Sequence, residues 1–116
     1  MIIPRPKNTK KSGMMEFFVY QEKSKFIGVC LTFDIVEEGE DLKEVMKNLE
    51  EAALLHLEVV CKENLSDDLL NRYAPDEYWE KYFEFRRLEE VRRVATSVLE
   101  TKQIRYNPGI LCGANL

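Results

Sequence analysis

Apolar side chains enter this chain first in alternation and later in threes and fours, and that change of period predicts the order of its elements. From Met14 to Tyr20 the run is aromatic and β-branched, with Phe17 and Val19 on one face and Phe18 and Tyr20 on the other, which reads as a strand. Gln21 to Lys25 is a polar turn. Phe26 to Phe33 then carries almost no polar residue, and Ile27, Val29, Leu31 and Phe33 point to one side, so a second and central strand follows in a hairpin. Asp34 to Glu38 gives a third, shorter strand, ended at Gly39, where a glycine among charged residues serves a sharp change of direction.

The period then becomes helical. Leu42, Val45, Met46, Leu49, Ala52, Ala53, Leu57 and Val60 recur at spacings of three and four and predict a helix from Asp41 to about Glu63. Leu42, Met46, Leu49, Ala53, Leu57 and Val60 are its expected buried face. Asp41 stands at the N-cap with Glu44 three positions later, an aspartate form of the capping box, and the acids there complement the positive helix end. Ser66 can cap a short turn through Leu70, and Pro75, Asp76 and Glu77 look like the first turn of a later helix. From Tyr78 to Leu99 a rough helical spacing persists, with Phe85 off the stripe and a break expected near Arg86. Asn107, Pro108 and Gly109 mark a turn, and Ile110 to Leu116 is an apolar tail left unassigned.

These elements divide the chain into three parts: a flexible basic tail over residues 1–13, an α+β core over 14–65 and a helical extension of the same domain over 66–116. The tail expectation rests on Pro4, Pro6 and a run of polar residues with little to bury, and Met14 and Met15 at its end offer an alternative translation start. At 116 residues, 45% hydrophobic and 33% charged, the chain fits one folded domain. No stretch reaches the roughly 18 apolar residues of a membrane span, and the amino terminus lacks the apolar core of a signal peptide, so the expected location is the cytoplasm, with no membrane partner.

The net charge of −4 is unevenly spread: residues 1–15 carry +4, residues 16–71 carry −9 and residues 72–116 carry +1. An acidic body repels nucleic acid and favours basic protein partners. Cys30, Cys61 and Cys112, with His56 as the one histidine, are too few for a zinc site and too irregular for a disulfide framework, so they are expected to act as small hydrophobes.

The segment SKFIGVCLTFDIVEEGEDLKEVMKNLEEAALLHLEVV, from Ser24 to Val60, resembles the core of HicB-like antitoxins. In that family an apolar strand leads through a glycine-acid turn into a helix of the form LxEAxxNLxEAxxLxLE. Gly39, Glu40 and Asp41 match the turn, and Leu42, Glu44, Asn48, Leu49, Glu51, Ala52, Leu55, Leu57 and Glu58 match the helix. The resemblance implies a partial RNase H-like fold, a three-stranded antiparallel sheet packed on a helix, here with additional C-terminal helices. It also implies a small basic HicA-type toxin that cuts messenger RNA and is held inactive by the antitoxin. Residues 66–116 show neither the helix-turn-helix nor the ribbon-helix-helix pattern found in many such proteins, so direct DNA binding is not expected.

An RNase H-like topology invites comparison with a metal-dependent nuclease, and Asp34, Glu37, Glu38 and Asp41 are the nearest carboxylates. Solubility and the helix dipole account for acids at a strand end and helix start, and His56 has no local nucleophile to serve. No catalytic, cofactor or metal site is expected. The candidates are for partner binding: Phe33, Asp34 and Glu37 on the sheet and its following loop, and Tyr78, Trp79, Tyr82 and Phe83, part of an aromatic-rich stretch that exceeds what one small core needs. The second group also supports a homodimer or higher homo-oligomer. The rival readings are a solitary binding or oligomerisation module and a DNA-binding repressor.

Overall fold

The computed structural model describes residues 5–92 and 100–107, with side chains in the last helix followed as far as Arg87. Four strands form one antiparallel sheet: β1 (Gly13–Glu22), β2 (Lys25–Cys30), β3 (Ile35–Gly39) and β4 (Glu100–Tyr106), in the order β3-β2-β1-β4. Helix α1 (Leu42–Lys62) covers one face and helix α2 (Asp76–Arg92) the other. The class is α+β.

Alternation along β1 divides its side chains between two cores. Met15, Phe17 and Val19 pack with Val45, Leu49, Ala53, Leu57 and Val60 of α1, while Phe18 packs with Val29, Leu31, Trp79 and Tyr82 on the α2 side. A strand buried on both faces needs apolar residues at every position, which is why the MMEFFVY stretch is nearly continuous. Gly28 of β2 lies under α1, and a Cβ there would come within 2.8 Å of Val45 Cγ1. The missing side chain lets helix and sheet approach closely.

The expected hairpin and third strand are present. β1 and β2 meet with Glu22 opposite Lys25, so the turn has two residues, and Lys23 adopts a positive φ of 60°. The second strand ends at Cys30 rather than Phe33, because residues 31–34 turn: the Asp34 N–H donates to Cys30 O and Asp34 has φ 57°. Aspartate tolerates that left-handed conformation better than a bulky residue does.

In α1, Asp41 is the N-cap and its carboxylate accepts from the Lys43 N–H. Of the six residues expected to be buried, Met46, Leu49, Ala53, Leu57 and Val60 are, and Leu42 is partly covered. The helix ends in a Schellman arrangement, with Asn64 at φ 50°, its N–H on Cys61 O and the Leu65 N–H on Val60 O. Ser66 caps the short turn Asp67–Leu70 as expected.

Three expectations are corrected. The sheet has a fourth strand, so the region after residue 66 is not wholly helical: α2 continues through Arg86 to Arg92 without a break, and β4 follows. The segment from Arg5 to Ser12 is not free. Asn8 is buried, its amide nitrogen donates to Met14 O and Leu70 O, and its amide oxygen accepts from the Met14 N–H. Arg5 lies over the rings of Tyr73 and Trp79 and pairs with Asp76, so residues 5–12 form a strap rather than a tail. Among the cysteines, Cys30 is a buried thiol, as expected of a small hydrophobe, but Cys61 is disulfide-bonded. Cys112, the apolar tail from Ile110 and the apolar positions Val94, Ala95, Val98 and Leu99 lie outside the described residues.

A candidate protein-docking edge

The sheet's outer strand β3 pairs only with β2 among the described residues. Alternate backbone N–H and C=O groups of such a strand point outward with no strand to receive them. Between Asp34 and Asp41 the chain carries five acids, Asp34, Glu37, Glu38, Glu40 and Asp41, and no base. One ion pair tempers this charge, Lys25 Nζ to Glu38 Oε2 at 3.2 Å, exposed on both sides and therefore weak. Val36 sits in the middle of this acidic stretch with 51% of its surface exposed, beside buried Val29 and on the α2 side of the sheet. Ile27, paired with Glu38, is half-buried next to it. An apolar step flanked by carboxylates thus runs along an open sheet edge.

The seven expected partner-binding residues do not come together. Phe33 is buried on the α1 side, its ring 4.9 Å from that of His56, whose Nε2 lies 2.6 Å from Leu69 O. Phe33 and His56 are therefore packing residues. Asp34 is exposed in the turn before β3, and Glu37 is half-buried on β3, directed to the α1 side opposite Gly28. Tyr78, Trp79, Tyr82 and Phe83 lie across the sheet on α2. Trp79 and Tyr82 are fully buried in the second core, where Trp79 meets Tyr73, Tyr82 and Phe83 edge-on or tilted, so neither ring is a surface for a partner. The aromatic surplus read from the sequence is absorbed by a core that a three-stranded sheet with a single helical face does not have. Val36 and Glu38 are not among the expected partner-binding residues, although the alternation in Ile35–Gly39 marks them as the pair facing away from α1.

The second core contains a polar cluster. Glu16, 5% exposed, accepts from the Tyr82 hydroxyl at 3.1 Å and from Gln103 Nε2 at 2.7 Å. Arg86 donates to the same phenol oxygen at 3.3 Å. Burial, with the Glu16 carboxylate beside it, pushes the Tyr82 phenol up to about 12. The cluster links β1, α2 and β4, and its buried carboxylate is satisfied by donors from the other two elements. Among the described residues no three His, Cys, Asp or Glu side chains are grouped as a metal site, and no helix is long and apolar enough to cross a membrane. Searches against family models, curated proteins and solved structures found nothing that matches this chain.

Proposed function

We propose that this protein is a non-enzymatic binding module of the HicB-like antitoxin kind, and that it holds a small basic RNA-cutting toxin inactive by docking it along β3. The observation that carries this reading is the open acidic edge with exposed Val36 at its centre. An outer strand supplies main-chain hydrogen bonds to an added partner segment, and its alternating side chains supply selectivity. Five carboxylates along eight residues steer a cationic partner and repel a second copy of the same edge, so a homo-oligomer would form elsewhere. The order β1, β2, β3, α1, with α1 on one sheet face, supports this reading as far as the α+β class goes, while β4 and α2 extend beyond the three-stranded arrangement that the resemblance implies.

The test is binding and growth rescue with a HicA-type toxin, starting from any short basic protein encoded beside this one. The wild type should bind with an affinity that falls as salt rises, and the double substitution Glu37→Lys, Glu38→Lys should weaken binding by about tenfold or more. Val36→Pro should do the same while leaving the rest of the sheet intact, since an outer strand tolerates proline better than a central one. If no such toxin is bound and none is neutralised in cells, the antitoxin reading fails.

A further inference from the structure

At the opposite edge of the sheet, the strap and the end of β4 enclose a cleft of about 370 Å³ lined by Lys7, Asn8, Ser12, Gly13, Arg105 and Tyr106, among others. Its charge is unlike that of the rest of the body. Lys7 and Arg105 reach it from distant parts of the chain, and among the described residues no carboxylate lines it and neither cation makes an ion pair. The neighbouring cations Arg5 and Lys10 are occupied by Asp76 and Asp67. A second groove of about 360 Å³, along α1, makes the contrast plain: Lys43 and Lys47 share it with Glu50, Glu51 and Glu100. That groove neutralises itself, whereas the strap cleft has two positive charges that no carboxylate among the described residues compensates.

The cleft is also built on fixed backbone. The Asn8 amide ties the strap to Met14 and Leu70, and the Tyr106 hydroxyl donates to Thr9 O at 2.8 Å. A Cβ on Gly13 would run into Asn8 Oδ1 and the Tyr106 ring, so glycine is what allows strap and strand to close together. Arg105 lies opposite Met14 in the β1–β4 register, on the α2 side with Gln103. Lys7 stands next to the buried Asn8. Both cations therefore rise from anchored main chain.

We infer that this cleft binds a phosphate group, with Arg105 offering its planar fork to two oxygens, Lys7 a point charge and Ser12 a hydroxyl donor. The volume suits a ligand of mononucleotide size as well as the free ion. Nothing in this inference depends on β3 or on a toxin, so either can fail without the other.

Backbone amide shifts of the full chain, followed by NMR during titration with inorganic phosphate, adenosine 5′-monophosphate or adenosine, test it. Saturable shifts confined to residues around Lys7, Ser12 and Arg105 are expected with one or both phosphate compounds and not with adenosine. Saturation by the mononucleotide alone marks a phosphomonoester ligand, and saturation by both marks the free ion as sufficient. Arg105→Gln and Lys7→Gln should each weaken binding by about tenfold, while Lys43→Gln should leave it unchanged. Because both substituted residues are exposed, loss of fold is not the expected cause, and an unchanged far-UV spectrum confirms that. Shifts spread over all surface lysines, affinity indifferent to Arg105→Gln and Lys7→Gln, or no saturation would identify an adventitious ion only and overturn the inference.

Discussion

Asn8 and Glu16 are polar residues that belong to the core. The Asn8 side chain makes three hydrogen bonds to backbone groups of β1 and of the turn before α2. Asn8→Ala removes all three partners at once and should cost about 3 kcal/mol in a urea titration. Glu16 and Tyr82 should be coupled: a double-mutant cycle with Glu16→Ala and Tyr82→Phe should give an interaction of about 1 kcal/mol, because either change alone takes one hydrogen bond from a partner that stays in the second core. The folded chain holds the Tyr82 proton more tightly than the unfolded chain does. Its contribution is therefore complete below pH 10 and is lost as pH rises from 10 to about 12, and thermal melts across that interval should show falling stability. Tyr20, also pushed up to about 12 by burial and by Tyr78, acts in the same direction. Burial pushes the Cys30 thiol up to about 11, which keeps it in the unreactive protonated form near neutral pH. A thiol reagent should label Cys30 only when the chain is unfolded.

At the scale of elements, α1 was the most legible part of the sequence because one face of a long amphipathic helix repeats its signal many times. Asp41→Ala should cost about 1 kcal/mol by leaving the Lys43 N–H without its acceptor. Gly28→Ala, by contrast, should separate α1 from β2 and cost more, since the added methyl has only Val45 and Leu49 to displace. β4 was not legible. Its inward face offers only Ile104 and Tyr106, Glu100 and Lys102 taking the other two places, Lys102 with an ion pair to Glu50, and two apolar positions do not announce a strand. The preceding helical rhythm carried the reading past it. The strap failed for a different reason: it is held by hydrogen bonds and by Arg5 over two rings, neither of which shows as hydrophobic periodicity. The candidate edge was half legible. The acids between Asp34 and Asp41 were plain, but which side chain faces outward depends on a register that only the paired strands fix.

For the whole molecule, a sheet covered on both faces makes the two edges the places where it can meet other molecules, and here they differ in sign. The β3 edge is acidic, and the cleft beside β4 is basic. Deleting residues 1–12 should lower thermal stability measurably, because it uncovers Trp79, removes the Asn8 bonds and opens the cleft, and it should leave binding along β3 unchanged. Loss of both properties together would show that the two edges are not independent.

The β1–β4 register has a further consequence during synthesis. Gly13 to Val19 pair with Tyr106 to Glu100, so β1, made first of the four strands, waits for β4, made last of them. Until then the nascent chain presents the MMEFFVY stretch, apolar and without proline, with one side of its backbone open to any other strand. A chain halted after Arg92 should therefore aggregate at the ribosome or be captured by a chaperone there, while a chain that extends through Tyr106 closes its own most hazardous edge.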